Sequence, residues 1–257
     1  MADVVTTQST AQAEPSFVAP GPDGTIWVVS FNGGVECLPT AATTGSGCPT
    51  SLPGGTPSDL ESIAPGPNNS MWLVYPSANT ILRVAPDGTE TAFPPPTAAS
   101  GPTAIASGAD GSMWFIESAA NQIGRIASSG GITEFAIPTP NRTVSAATDA
   151  ITTGPDGNVW FVEEGANQIG RIAPSGTIME FALPNTLSDP VSIVAAADGN
   201  LWFGTDTGVL GRITPSGTVS EFLITEVDGD LIADIISGPD GNVWFTEGRQ
   251  YIGRVTP

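Results

Sequence analysis

GPDGNVWFVE at residues 154–163 decides the fold, because the same phrase recurs along the whole chain. It reads GPDGTIWVVS at 21–30, GPNNSMWLVY at 66–75, GADGSMWFIE at 108–117, AADGNLWFGT at 196–205 and GPDGNVWFTE at 238–247. All 6 tryptophans belong to this series: Trp27, Trp72, Trp114, Trp160, Trp202 and Trp244, spaced 42 to 46 residues apart. Self-similarity at a fixed period of this length marks a repeat architecture.

Outward from the phrase, each unit reads as four short strands. An apolar strand such as AITTG at 150–154 meets an Asp-Gly turn, a strong hairpin signal. The Trp strand follows, then a loop and a third strand within ILRVAPDGT, QIGRIASSG, QIGRIAPSG, VLGRITPSG or YIGRVTP. A turn rich in Pro, Ser and Gly leads to a fourth, as in ITEFAIPT, IMEFALPN and VSEFLIT. No stretch has helical periodicity. Four strands per unit at this period predict an all-β chain, a six-bladed β-propeller of four-stranded blades. The blades fall at about 10–53, 54–97, 98–141, 142–186, 187–226 and 227–257 of a single domain spanning 1–257. The last unit stops after its third strand, and Asp3-Val4-Val5-Thr6-Thr7-Gln8-Ser9 stands where a fourth strand should. Residues 3–9 are therefore expected to complete the last blade and remove its exposed edge.

Composition narrows the partners. The chain has 257 residues, 31 Gly, 24 Pro, no His, and 7 basic residues against 26 acidic ones, for a net charge of −19. Such a surface excludes nucleic acid, which needs Lys or Arg to neutralise phosphate. It attracts cations or cationic ligands instead. No apolar run of about 18 residues is present, so no membrane insertion is expected. No signal peptide precedes the repeats; a secreted or cell-surface propeller trimmed to its domain is the expectation, and a monomer.

Five of the arginines, Arg83, Arg125, Arg171, Arg212 and Arg254, occupy one repeat position. That regularity predicts an architectural role, with guanidinium groups holding carbonyls or carboxylates between strands. In the first unit Cys37 takes this position, and Cys48 falls where the fourth strand begins. The two could form a cross-strand disulfide or remain free thiols; a disulfide would favour an oxidising compartment.

The phrases GPDGNVWFTE, NQIGRIAPSG and ITEFAIPT in combination resemble the streptogramin B lyase (virginiamycin B lyase) family over nearly the whole chain. The resemblance implies a propeller with a site at one mouth of its channel. It also implies an activity that linearises a cyclic depsipeptide by elimination across its ester, using magnesium and catalytic histidines. The family lyase has seven blades, against six repeats here. Its catalytic His lies seven residues before the turn Asp, where this chain carries Ser16, Glu61, Thr103, Asp149, Val191 and Ala233. Without any His, the family mechanism lacks the base that takes the proton beside the carbonyl.

The family's metal-ligand Glu ends the WFTE phrase and is matched by Glu117, Glu163 and Glu247. Strand pairing around the Asp-Gly turn makes residues seven before and seven after the Asp cross-strand neighbours. The expected pairs are Ser16/Ser30, Glu61/Tyr75, Thr103/Glu117, Asp149/Glu163, Val191/Thr205 and Ala233/Glu247, all ringing one mouth. Asp149 facing Glu163, with Glu164 alongside, would share a proton or a cation. Candidate ligands for Mg²⁺ or Ca²⁺ are thus Asp149, Glu163, Glu117, Glu61 and Glu247, with Asp59 and Asp189 extending the rim. No phosphate-binding loop, zinc-spaced Cys/His cluster or Ser-His-Asp set is present.

Two functions follow. One is a non-catalytic propeller that binds a small molecule, peptide or protein at an acidic mouth. The other is a lyase, or a lactonase-type hydrolase, with Asp149 or Glu163 as a carboxylate base of raised pKa.

Overall fold

The computed structural model describes residues 15–21, 25–30, 35–38, 59–140, 151–185, 189–224, 231–248 and 251–257, with side chains in the first three strands described only in part. Each Trp phrase forms the second strand of an antiparallel sheet. The first sheet is β1 (Pro15–Pro20), β2 (Ile26–Ser30) and β3 (Val35–Leu38). The second runs β4 (Ser62–Gly66), β5 (Ser70–Tyr75), β6 (Thr80–Val84) and β7 (Glu90–Phe93). The third is β8 (Pro102–Ser107), β9 (Met113–Glu117), β10 (Gln122–Ile126) and β11 (Ile132–Ala136). The fourth is β12 (Ile151–Thr153), β13 (Val159–Glu163), β14 (Gln168–Ile172) and β15 (Ile178–Ala182). The fifth is β16 (Pro190–Ala195), β17 (Leu201–Thr205), β18 (Val209–Ile213) and β19 (Val219–Leu223). The sixth is β20 (Ile235–Ser237), β21 (Val243–Glu247) and β22 (Tyr251–Val255).

Within each sheet strands pair in chain order, and the first strand of every sheet packs against the first strand of the next. That serial packing of short meanders is the architecture of a β-propeller. Residues 3–9, Cys48 and Asp149 lie outside the described residues, as does the side chain of Cys37. The closing strand, the disulfide and the Asp149/Glu163 pair are therefore not described.

The core lies between sheets. Trp72, Val74 and Ile81 of the second sheet pack against Ile105, Met113 and Phe115 of the third, and homologous positions recur from sheet to sheet. The flank of the sixth sheet breaks the pattern. Ile252 is 76% exposed, whereas its counterparts Ile81, Ile123, Ile169 and Leu210 are buried. On the first sheet Val18 is 68% exposed, whereas Ile105, Ile151, Ile193 and Ile235 are buried at that position.

A repeated Asp organises the turn end of the sheets. Asp156 accepts hydrogen bonds from Asn158 N (3.2 Å) and Trp160 Nε1 (3.0 Å), and Arg171 stands 3.7 Å from its other oxygen. Asp110 does the same for Ser112, Trp114 and Arg125, the last at 2.8 Å. Each guanidinium then reaches the following sheet: Arg125 Nη1 donates to Pro174 O (3.2 Å) and Arg171 Nη1 to Pro215 O (2.7 Å). The arginines hold both carboxylates and carbonyls, and the carbonyls belong to the neighbour. Five of the six tryptophans are buried, in keeping with core packing.

Candidate functional site

At the opposite end of the sheets, the residues at the position seven after the turn Asp are enclosed in the second to sixth sheets. Tyr75, Glu117, Glu163, Thr205 and Glu247 are all buried, with Glu117 and Glu163 fully so. Their expected partners are offset. β-Bulges shift the pairing to Pro102↔Glu117 and Pro190↔Thr205, so Thr103 and Val191 no longer stand opposite. The same irregularity follows Pro15 in the first sheet. The physical reason is the proline that opens each of these strands: it has no N–H to give the ladder, and bulges accommodate such a residue. In the second sheet the register ends at Ser62↔Val74, and Glu61 N also donates to Val74 O (3.0 Å), so Glu61 and Ser62 share one partner and Glu61 too is displaced from Tyr75. Ala233 is exposed, ahead of the start of β20.

The buried glutamates face outward across their own sheet. Glu117, Gly124 and Glu134 lie on one face of β9, β10 and β11; Glu163, Gly170 and Glu180 repeat this on β13, β14 and β15. Glycine on the middle strand is what permits the approach. A Cβ on Gly170 would stand 2.8 Å from Glu163 Oε1 and 2.2 Å from the Phe161 ring.

The outer glutamates are held by the preceding linker. Glu134 accepts from Thr97 N (2.8 Å) and Oγ1 (2.9 Å), and Glu180 from Thr139 N (2.8 Å) and Oγ1 (3.0 Å). The carboxyl oxygens of Glu117 and Glu163 are buried and make no well-formed hydrogen bond. Burial pushes Glu163 up to about 8, and the charge of Glu180 adds to it. Burial likewise raises Glu117 to about 7; the Ser100 hydroxyl opposes this and Glu134 reinforces it. Each pair is best satisfied by a proton on the inner member, which makes it a donor toward the outer one. Where the middle strand carries Leu82 in place of glycine, the pair is Tyr75 and Ala92. Burial, then the charges of Glu90 and Asp59, push Tyr75 up to about 12.

The more accessible acidity of this end lies on two other sheets. Asp59 accepts from Ser77 N (3.0 Å) and Ala78 N (3.1 Å), and Glu61 is raised by burial and then by Asp59. Asp206 is raised by burial and then by Asp189, whose own N–H is held by Asn167 Oδ1 (3.0 Å). Among the described residues no group of three or more Asp, Glu or Cys is arranged to hold a metal. Glu163 with Glu180 offers two carboxylates, one already occupied by Thr139, where a hard cation takes six or more oxygens. In each described glutamate pair the inner carboxyl is raised by burial and by its outer partner, an arrangement that suits a shared proton.

The sequence profile of the virginiamycin B lyase family matches residues 4–257. The chain belongs to this family. Solved members share its architecture. A streptogramin B lyase superposes with a TM-score of 0.82 at 29% identity, over 97% of this chain and 82% of that one. A catalytically inactive variant of virginiamycin B lyase from Staphylococcus aureus, with quinupristin, gives 0.81 at 33% identity over 97% and 83%. A more distant likeness, of fold alone, is the extracellular domain of a one-component system from B. thetaiotaomicron. It has a TM-score of 0.63 at 18% identity, over 95% of this chain and 33% of that one. Comparison of the sequence with curated proteins gives no match.

The Glu–Gly–Glu arrangement was missed in sequence. Its signal was available: Gly124 and Gly170 fall where Leu82 stands in the second sheet, and a glutamate on the fourth strand accompanies each.

Proposed function

We propose that this virginiamycin B lyase relative is a ligand-binding, six-bladed propeller that does not perform the family's elimination. The observation that carries this reading is the absence of histidine from all 257 residues. A base poised near neutrality is what elimination beside a carbonyl requires, and imidazole ordinarily supplies it. The position of Glu163 supports the reading: it is fully buried and turned toward Glu180.

In this reading residues 3–9 complete the sixth sheet, and the open flank at Ile252 supports that closure. The ligand surface is the acidic rim of Asp59, Glu61, Asp189 and Asp206, joined by Asp149. It suits a cationic small molecule, peptide or protein segment, or Mg²⁺ or Ca²⁺ bound with the help of Asp149. Placement outside the cell or on its surface belongs to the same reading.

The test is incubation with a streptogramin B depsipeptide and Mg²⁺, followed by chromatography with tandem fragmentation. Elimination within a ring conserves mass, so ring opening is read from retention and fragments; hydrolysis adds the mass of one water. We expect the intact ring. An isobaric linear product would overturn the proposal in favour of a lyase using a carboxylate base, and a hydrated product would favour a lactonase. The raised pKa of Glu163 is the observation behind both of those readings. Melts with Mg²⁺ or Ca²⁺ test the cation: a midpoint that rises in the native protein and not in Asp149→Asn places it at this mouth, and an unchanged midpoint removes it.

A further inference from the structure

The second sheet departs from its siblings at the turn end. Its phrase is GPNNS where the others read GPDGT, GADGS, GPDGN or AADGN, so Asn68 and Asn69 replace the turn Asp and Gly. Asn68 (φ 58°) and Asn69 (φ 54°) both take left-handed backbone; Asn68 is exposed and lines the cavity described below without bonding Trp72 Nε1. In the third to sixth sheets the Asp accepts the Trp indole N–H, at 3.3, 3.0, 3.3 and 3.1 Å. In the second sheet nothing replaces it. Trp72 is only 5% exposed, and its Nε1 has no hydrogen-bond partner; Arg83 Nε is also buried without one.

Arg83 is loosely held throughout. Its described hydrogen bond is long, Nη2 to Thr91 Oγ1 at 3.4 Å. Its guanidinium lies 6.0 Å from the Phe93 ring, close to the 5.9 Å of Arg212 over Phe222, but it does not also stack on its tryptophan as Arg125, Arg171, Arg212 and Arg254 do at 5.4 to 5.7 Å. The nearby carboxylate of Asp87, on an exposed turn, feels its charge without forming one of the ion pairs seen among the described residues. Between these donors and the Ser128–Gly130 turn of the third sheet lies a cavity of about 240 Å³. Trp72, Phe93, Met113 and Ile126 form its apolar wall.

We propose that this cavity is a binding site for a small carboxylate with a compact apolar body, whose carboxylate takes the place of the missing turn Asp between Trp72 Nε1 and Arg83. The sibling sheets show the chemistry that this pair of donors accepts. A buried indole N–H and guanidinium N–H left unmet each cost free energy, which a charge-assisted bond recovers. The apolar wall favours a hydrocarbon body over a bare ion. The site lies at the end of the sheets opposite the acidic rim, so it stands or falls independently of the reading above.

Benzoate is the probe, titrated by calorimetry and by Trp fluorescence, with inorganic phosphate as a parallel arm. The native protein is expected to bind benzoate saturably. The double substitution Asn68→Asp, Asn69→Gly rebuilds the siblings' internal carboxylate and is expected to weaken binding by about tenfold or more. Arg83→Gln should weaken it similarly, and gives the same test should the rebuilt turn fail to fold. No binding to the native protein, or unchanged binding in these variants, overturns the proposal. Phosphate binding as tightly as benzoate overturns the assignment to carboxylates.

Discussion

Glu163→Gln should make the protein more stable, and increasingly so as the pH rises. Glu163 carries a carboxyl raised from 4.5 to about 8, chiefly by burial and then by Glu180. A carboxyl whose folded pKa lies above its unfolded one contributes fully below pH 4.5, and its contribution is lost as pH climbs toward 8. At pH 7 the folded chain keeps a proton that the unfolded chain has released. At ~1.4 kcal/mol per pH unit above 4.5, this costs about 3 kcal/mol. Glutamine has no proton to give up, and its amide N–H₂ can still donate to Glu180. For a chain of this size the gain corresponds to roughly 6–12 °C in the melting midpoint at pH 7, shrinking to under about 1 kcal/mol near pH 5. Thermal melts of both proteins from pH 5 to pH 8 read this directly. A variant that is less stable at pH 7, or whose difference from the native protein is constant with pH, would refute the reasoning.

Asp156→Asn should act with the opposite sign. Burial opposes ionisation of Asp156, but hydrogen bonds from Asn158 and Trp160 and the charge of Arg171 outweigh it and hold the carboxyl low. The stability this supplies is present above the ordinary carboxylate range and lost as pH falls through it. The substitution should cost about 1–3 kcal/mol in urea unfolding at pH 7, with the difference narrowing toward pH 3; equal loss at both would contradict the account. Gly170→Ala places a Cβ 2.2 Å from Phe161 and should cost about 1–3 kcal/mol by overpacking, read as a lower urea midpoint with unchanged slope. An unchanged midpoint would show that the ring moves aside freely.

Much of the architecture was legible because one large residue marks one strand per sheet. Trp72, Trp114, Trp160 and Trp202 do sit on second strands, and the Arg series pairs directly opposite them. The candidate site was less so, for two physical reasons. Pairing counted outward from the Asp-Gly turn holds only until a proline interrupts the ladder, and Pro102 and Pro190 do so one step before the pairs of interest. The buried glutamates find their partners two strands away, across Gly124 and Gly170, which a two-strand register cannot reveal. The exchange of Asp for Asn68 was visible in the sequence. Its meaning required knowing that Trp114 and Arg125 converge on Asp110.

The contacts between sheets have a direction. Arg125 and Arg171 reach the Pro carbonyl of the following sheet, and Thr97 and Thr139 grasp a glutamate in the sheet after their own linker. During synthesis each finished sheet thus presents donors that stay unsatisfied until some forty more residues have emerged. The row of sheets is joined like a zip drawn from the amino end, each tooth locked by the one after it.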